Sequence, residues 1–225
     1  MSVAKSQTST LLTRLRDDIV YGRLEPGSKL KIEALQERYQ TGATPLREAL
    51  TMLVPTGIIE RLEQRGFRVA EVSMEEFEEL LWTRCFLEDR ALRESIAHGD
   101  DDWEEGVVLA LHHLRKHTLN SDTHTEADEK AWEDVHGRFH TQLISGCKSR
   151  PLLRFCHQLH DENKRYRYIA RLTPLARAGA LKEHEHIAEA VLARDADEAA
   201  RLLNEHYNRT GNLLRERLAK FSQSA

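Results

Sequence analysis

The chain has 225 residues, with 33 basic and 37 acidic side chains and a formal net charge of −4 at pH 7. Its 31% charged and 40% hydrophobic residues are typical of a folded globular protein and exclude a largely disordered chain. The apolar stretches are only a few residues long and residues 1–10 lack the apolar core of a secretory signal, so we expect a cytoplasmic protein without a membrane partner.

Charge is unevenly distributed along the chain. Residues 1–70 carry 11 basic and 8 acidic side chains, a balance of +3, whereas residues 71–225 carry 22 and 29, a balance of −7. All 12 histidines lie in the second part. We therefore expect two domains with different roles, 1–72 and 73–225. Three cysteines without CxxC spacing argue against a disulfide framework and against a cysteine-based zinc module.

The first domain begins with three predicted helices. Apolar residues at helical spacing predict one over residues 11–20 and a second over 32–39, separated by the turn residues of 24–27. Thr44 is a good N-cap for the third helix, and Pro45 fits its first position, where no N–H is needed. The tight turn before Thr44 makes this a helix-turn-helix pattern.

A hairpin is predicted after the third helix, because residues 58–62 and 67–70 read as short strands around a turn. This combination is typical of a winged helix-turn-helix, whose third helix enters the DNA major groove while the hairpin, or wing, reaches the backbone or minor groove. Arg47 falls in the first turn of the third helix, where the helix dipole disfavours a cation. A phosphate or a guanine edge would stabilise it, and an ion pair with Glu48 is the alternative.

This first domain resembles the GntR family of bacterial transcription regulators. The matching residues lie in order over residues 11–72 and are Leu24 to Leu30, Leu35, Tyr39, Thr44 to Leu50, Gly57 and Arg65 to Val69. The resemblance implies that Thr44 and Arg47 contact double-stranded operator DNA and that Gly66 lets the wing tip approach the minor groove. The weaker candidates for phosphate contacts are Arg16, Arg38 and Arg65. Gly42-Ala43 replaces the usual Ser-Arg of the family, which removes one expected basic contact.

The sequence of the second domain predicts long amphipathic helices. The first of them begins with a capping box, in which Ser73 is the N-cap and Glu76 lies three residues later. The predicted helices lie near residues 74–98, 101–119, 126–146, 150–172, 174–193 and 196–220. Six such helices suggest an antiparallel bundle, a fold that builds ligand and metal sites between facing helices. The sequence therefore predicts a mainly α protein, with an N-terminal winged helix-turn-helix and a C-terminal all-α six-helix bundle.

Histidines are the candidate metal ligands of the bundle. His136 and His140 are four residues apart on one predicted helix, so their rings share a face and can bind one metal. His184 and His206, on the last two helices, would complete the site if those helices face the third. Solvated or hydrogen-bonded histidines are the alternative that the spacing leaves open.

The second domain resembles the FCD ligand-binding domain of GntR regulators, in its shorter VanR-like branch. The matching residues span 75–210 and are Arg84, Glu88, Phe139, His140, His184, Ile187, Ala190, Asp195, Ala199 and His206. In metal-binding members, the resemblance implies three histidine ligands, at His140, His184 and His206. His136 takes the fourth position in place of the common aspartate. Four neutral imidazoles favour zinc, nickel or copper-type ions over manganese or magnesium, and we expect a divalent transition metal, zinc or nickel.

Three arginines are candidates for binding a carboxylate effector. Arg167 and Arg171 share a helical face and suit a carboxylate clamp, although a solvated basic face would look the same. Arg84 is the third candidate, because the resemblance to the FCD domain implies that it lies in the ligand pocket. The residues from Arg165 to Arg171, with Phe139-His140, are similar to the glutarate-responsive, carbon-starvation repressors of this family, which implies a short dicarboxylate effector.

The sequence as a whole favours a homodimeric, effector-controlled transcription repressor that is not an enzyme. Two alternatives remain at this stage. A metal-responsive regulator would use the ion itself as the signal, and a histidine-site metalloenzyme would use it for hydrolysis or hydration. Against the enzyme, no HExxH motif accompanies the histidines.

Overall fold

The computed structural model describes residues 7–63, 65–119, 125–169 and 174–222. The chain divides into two compact units, which we name the head (Met1–Glu76) and the body (Phe77–Ala225). The predicted fold class is confirmed: a helical head with a small sheet precedes an all-helical body. Within the described ranges, no helix combines the length and the apolar character that crossing a membrane requires.

The head contains three helices and a three-stranded antiparallel sheet. Its elements are α1 (Gln7–Val20), β1 (Lys29–Leu30), α2 (Ile32–Tyr39), α3 (Ala43–Leu53), β2 (Ile59–Leu62) and β3 (Gly66–Val69). The strand order is β1-β3-β2, and the β2–β3 hairpin pairs Ile59 with Val69 and Leu62 with Gly66. This hairpin is the predicted wing.

The core of the head forms where α1 and α2 pack against α3 and the inner face of the sheet. Alternation places Phe67 and Val69 of β3 inside and Arg68 outside, as expected for a half-buried strand. Most of the buried side chains come from the helices, which present apolar residues three or four positions apart, and six leucine and isoleucine residues illustrate this. They are Leu15, Ile19, Leu35, Leu46, Leu50 and Leu53.

Two details of the head differ from the sequence prediction. Gly42, not Thr44, is the N-cap of α3, because the helix already begins at Ala43. β1 was not predicted; it is two residues long, too short for an alternating pattern, and pairs Leu30 with Phe67. Both differences leave the third helix and the wing where the sequence placed them.

In its described residues the body is a bundle of six helices, the first of which begins at Met74, three residues before the division between the units. They are α4 (Met74–His98), α5 (Asp101–Leu119), α6 (Glu126–Ile144), α7 (Arg150–Ile169), α8 (Pro174–Leu192) and α9 (Ala196–Ser222). Closest packing joins α5 to both α6 and α8, α8 to α9, and α7 to α6 and α9. Phe77, Phe139 and Ile187 are among its fully buried side chains.

Helix ends in the body follow local chemistry. The hydroxyl of Ser73 accepts the backbone N–H of Glu76 at 3.0 Å, as expected for the start of α4. α6 starts at a reciprocal capping box between Thr125 and Asp128 that the sequence interpretation missed. α6 ends two residues before the predicted position, at Ile144.

Candidate DNA-binding surface and metal centre

The third helix of the head exposes the residues predicted to meet DNA. Thr44 and Arg47 lie on the exposed face of α3, opposite the buried Leu46 and Leu50. Within the described residues, the Arg47 guanidinium forms no ion pair with Glu48 or any other acid. Glu48, the internal partner that was the alternative to a DNA contact, therefore does not neutralise Arg47.

Arg38 is partly committed to the fold of the head. Its Nη2 lies 3.0 Å from Oδ2 of the buried Asp18, which also accepts hydrogen bonds from Tyr39 Oη (2.6 Å) and Arg23 Nη1 (2.8 Å). Burial raises the pKa of Asp18. The two hydrogen bonds and the charge of Arg38 together lower the pKa by more than burial raises it, so the net pKa is below its usual value. Arg38 is 41% exposed, so a phosphate contact would share its charge with Asp18.

The wing places its basic residues unequally. Gly66 opens β3 with a φ of +91°, a left-handed conformation that favours glycine, and Arg65 beside it is exposed. Arg68, by contrast, is neutralised by ion pairs with Glu60 (2.6 Å) and Glu71 (3.2 Å). Arg16, on α1, is half-buried. Arg47 and Arg65 are thus the predicted DNA contacts whose guanidinium groups are exposed and not committed to Asp18.

Four buried histidines converge inside the body. His136, His140, His184 and His206, the histidine cluster, each offer one ring nitrogen, and these nitrogens lie within 4.8 Å of one another. His140 Nε2 is 3.1 Å from His136 Nε2 and 3.3 Å from His184 Nε2. Helices α6, α8 and α9 therefore meet as the proposed site requires.

The tautomer of His140 is fixed by its neighbours. Burial raises the pKa of Tyr207 well above its usual value, so its hydroxyl keeps its proton and donates it to Glu88. The Tyr207 oxygen, 3.1 Å from His140 Nδ1, is then left to accept the proton of that nitrogen. His140 Nε2 is consequently a bare lone pair that faces the cluster.

His206 is oriented in the same way by a carboxylate. Its Nδ1 lies 2.9 Å from Oε2 of Glu183, so Nδ1–H donates to Glu183 and Nε2 is bare. The other oxygen of Glu183 pairs with Arg209. Burial raises the pKa of Glu183, but His206 and Arg209 together hold it below the usual value.

The environment keeps the cluster neutral. Burial is the largest cause, and it holds the pKa of His136, His140 and His184 well below the usual value; the pKa of His206 is also lowered, although Glu183 opposes the shift. Neutral imidazoles are the form that binds metal ions. At neutral pH these side chains are therefore ready to act as ligands without losing a proton.

His136, which stands at the position of the family's aspartate, is held mainly by stacking. Its ring lies 4.5 Å from that of Trp132 at an angle of 14°, and Trp132 Nε1 donates to the hydroxyl of Thr118 at 3.0 Å. No described residue hydrogen-bonds His136 Nδ1, although the atom is buried. Stacking fixes the plane of the ring while Nε2 points to His140.

The cluster fits a transition metal ion. Imidazole nitrogens bound to one tetrahedral zinc ion lie about 3.3 Å apart, given Zn–N bonds of roughly 2.0–2.1 Å. The two Nε2–Nε2 separations around His140, 3.1 and 3.3 Å, agree with that spacing. Where two facing ring nitrogens both lack a proton, a cation between them removes the repulsion of their lone pairs. The donor set of four imidazoles suits zinc, nickel or copper-type ions.

A cavity of about 250 Å³ opens beside the cluster. Two cluster histidines, His136 and His206, form part of its wall, with Arg167 and Arg209 as cationic groups. The other lining residues are Trp132, Gly179, Ala180, Glu183, Thr210 and Leu213. The cavity joins the candidate metal position to positive charge and apolar surface, a combination suited to a small organic anion.

Two of the three candidate effector arginines are already ion-paired. Buried Arg84 donates from Nε to Glu88 at 2.6 Å, and buried Arg167 donates from Nη2 to Glu133 at 2.8 Å. The amide oxygen of Asn163, oriented by these partners, accepts from both arginines, at 2.8 and 2.7 Å. Each of these two arginines would therefore share its charge between its glutamate and a bound carboxylate.

Arg171, the other half of the predicted clamp, lies outside the described residues. Of the two described candidates, Arg167 lines the cavity, whereas Arg84 stacks on Tyr207 with its guanidinium carbon 3.9 Å from the ring centroid. Arg84 thus acts on the cluster through Glu88 and Tyr207.

Sequence reasoning missed the residues that surround the ligands. Glu183 precedes His184 and Tyr207 follows His206 in the sequence. Glu183 gains its role only where α8 meets α9, and Tyr207 gains its role where α9 meets α6 and α4. Asn163 has no periodic or motif signal. Trp132 and Glu133, four and three residues before His136, share its helical face, which was the one signal available.

Comparison with known families covers both units. The family described as bacterial regulatory proteins, gntR family, matches residues 7–69, and the FCD domain matches residues 79–209. The histidine cluster lies inside the FCD match, and α3 and the wing lie inside the gntR match.

Curated relatives are similar over most of the chain. An uncharacterized HTH-type transcriptional regulator, BphR of Paraburkholderia xenovorans, is 35% identical over 94% of this chain and 86% of its own length. The HTH-type transcriptional repressor GlaR of Escherichia coli is 34% identical over 85% of this chain and 88% of its own length. The solved structure of E. coli McbR/YncC covers 96% of this chain and 100% of its own, with a TM-score of 0.79 at 19% identity, a likeness of fold.

Proposed function

Because the chain belongs to the GntR family of bacterial regulators and carries an FCD domain, we propose that it is a transcription repressor whose operator affinity is controlled by a small organic acid bound in the body. The single observation that carries this proposal is the cavity beside the histidine cluster, joined in one chain to a winged helix-turn-helix. The functional domains are residues 1–72 and 73–225.

DNA binding is assigned to α3 and the wing. Arg47 and Thr44 read the major groove, and Gly66 with Arg65 brings the wing to the minor groove. Arg38 and Arg16 add phosphate contacts. A head with a balance of only +3 has modest affinity by itself, so two heads bind the two halves of a pseudo-palindromic operator.

A homodimer supplies the second head. An exposed aromatic surface on the body supports it: Trp82 and Phe86 of α4, 71% and 65% exposed, stack with ring centroids 5.9 Å apart, and Phe155 of α7 is also exposed. Exposed aromatic groups on a charged surface are typical of an interface. Burying them against the same surface of a second copy forms a symmetric contact.

Effector binding uses the histidine cluster and the cavity. His136, His140, His184 and His206 would hold the metal ion, zinc or nickel, which when bound offers a position for a carboxylate oxygen. Arg167 attracts the anion within the cavity, and Trp132 and Leu213 contact its carbon chain. The resemblance to glutarate-responsive repressors supports glutarate or a related dicarboxylate, and Arg84 and Arg171 are the further candidate contacts.

DNA binding is tested by a gel shift of the full chain on its own upstream region. The proposal predicts a retarded band at low salt that weakens as salt rises, because phosphate contacts release counterions. No retarded band under low salt would count heavily against a DNA-binding regulator.

Effector binding is tested by thermal melting against a panel of organic acids, with and without a chelator. A ligand that binds only the folded protein raises the melting temperature by mass action. The proposal predicts a rise with short dicarboxylates that shrinks after chelation. A panel in which no acid moves the melting temperature would contradict it.

The four-histidine donor set favours a second candidate, a metal-responsive regulator. In this case the metal alone changes operator affinity and dicarboxylates do nothing. Adding zinc or nickel to chelator-treated protein in the gel shift, without an organic acid, separates the two functions. A histidine-site metalloenzyme has less support, since the family consists of transcription regulators.

A further inference from the structure

The replacement of an aspartate ligand by His136 leaves an electrostatic problem in the body. Four neutral imidazoles give a divalent ion no negative partner among its ligands, and the ion sits in a buried site where uncompensated charge is costly. Buried cations lie near the cluster as well, because Arg84 and Arg167 line one small cavity together with His136 and His206. A compensating anion must lie nearby.

Three carboxylates surround the cluster, and they are not equivalent. Glu133 is paired with the buried Arg167, and Glu88 is paired with the buried Arg84 and reaches His140 only through Tyr207. Glu183 is different because Oε2 lies 2.9 Å from His206 Nδ1. Among the described residues, no other carboxylate makes a direct hydrogen bond to a cluster histidine.

The cationic partner of Glu183 also differs. Arg209 is 60% exposed, so water screens its charge, whereas Arg84 and Arg167 neutralise their carboxylates inside the protein. Glu183 itself is mostly buried. Its negative charge is therefore the least compensated of the three and the nearest to a ligand.

We propose that Glu183 is a positioning residue for the metal site, which fixes the Nδ1–H tautomer of His206 and supplies the negative charge that the missing aspartate does not. A carboxylate behind a ligating histidine both orients the ring and increases the basicity of the ligand nitrogen. This inference rests on the proposed metal site. It also places a determinant of metal affinity on the wall of the effector cavity, where Glu183 is a lining residue.

The experiment measures zinc affinity of the full chain by competition with a chromophoric chelator. Glu183→Gln keeps an oxygen that accepts from His206 but removes the charge, and Glu183→Ala removes both. Glu185→Gln is the matched control, since Glu185 lies on the same helix and pairs with Arg115 away from the cluster. Melting of each metal-free variant reports whether the fold is intact.

We expect Glu183→Gln to weaken zinc binding about tenfold and Glu183→Ala about 10- to 100-fold, while Glu185→Gln stays close to the wild-type protein. Glu183→Ala binding zinc as tightly as Glu185→Gln would overturn the inference, and Glu183→Gln matching the wild type would overturn its charge component. If the wild type and Glu185→Gln also fail to bind zinc, the proposed metal site itself is wrong, whereas the gel shift still tests the DNA-binding function.

Discussion

Single side chains decide whether each half of this protein can act. In the head, the side chain with the strongest support for a functional role is Arg47, because it is exposed near the positive end of a helix and forms no ion pair with any described residue. Holding a cation in that position without an internal partner is unfavourable for folding and suits an external anion.

We expect Arg47→Ala to weaken operator binding by about 1–3 kcal/mol, the usual cost of losing one specific arginine contact. Fluorescence anisotropy on the upstream fragment measures this loss, and Arg115→Ala in the body is the control. Arg47→Lys distinguishes a phosphate contact from a guanine contact, because a phosphate contact survives the change and a bidentate contact to guanine does not. An Arg47→Ala protein that binds as tightly as the control would contradict the assignment.

Residue roles could be predicted from the sequence only in part. The ligand candidates followed from the i,i+4 spacing of His136 and His140 and from the family resemblance, and α6, α8 and α9 bring all four histidines together. Glu183 and Asn163 could not be predicted, because their contacts cross between helices whose rotation no local pattern specifies. The prediction that Thr44 caps α3 is wrong. Threonine suits an N-cap position, but α3 already begins at Ala43 and its N-cap is Gly42.

Within the head, and separately within the body, a few close contacts join neighbouring elements. In the head, Asp18 links the end of α1 to Tyr39 and Arg38 at the end of α2. In the body, the end of α6 approaches the end of α4, and a Cβ on Gly146 would lie 3.0 Å from the Ser95 carbonyl oxygen and 3.1 Å from Gly99 Cα. The lengths of the helices were predictable from periodicity; these contacts were not.

We expect Asp18→Asn to destabilise the head by about 1–3 kcal/mol at neutral pH, the range for hydrogen bonds to a charged group. The net pKa of Asp18 is lowered by folding, so its stabilisation is present above the unfolded value of 3.8 and is lost as the pH falls through the lower folded value. Urea unfolding at pH 6 and below pH 3.8 measures this, with the exposed Glu37→Gln as control. A difference that grows on acidification would contradict the sign.

We expect Gly146→Ala to destabilise the body by about 1–3 kcal/mol, because backbone atoms of α4 cannot give way as a flexible side chain would. The control is Gly179→Ala in α8, where a new Cβ meets nothing within 4 Å and helix propensity favours alanine by up to about 1 kcal/mol. Urea unfolding measures both. Equal stability of the two variants would contradict the close approach of α4 and α6.

At the scale of the whole molecule, the net charge of −4 is a sum over two parts of opposite charge. Residues 1–70, which contain the helix-turn-helix, carry +3, and residues 71–225 carry −7. Two heads are needed because one is only mildly basic. The account therefore depends on self-association and on a ligand in the body that changes operator affinity.

We expect Phe86→Asp to shift the protein from dimer to monomer and to weaken operator binding, because it would place a charge in the proposed interface around Trp82 and Phe86. Analytical ultracentrifugation measures the first effect and a gel shift the second. Leu109→Asp, at another exposed apolar residue on α5, is the control. A Phe86→Asp protein that remains dimeric would move the interface elsewhere.

The central claim is that an organic acid in the body controls DNA binding by the head. Anisotropy of the labelled upstream fragment, titrated with the zinc-loaded and the chelator-treated chain with and without glutarate, tests it most directly. We predict that glutarate raises the operator Kd of the zinc-loaded chain by about 5- to 150-fold, the usual range of allosteric coupling, and has a smaller effect after chelation. An operator Kd that glutarate and related dicarboxylates leave unchanged in the zinc-loaded chain would contradict the account.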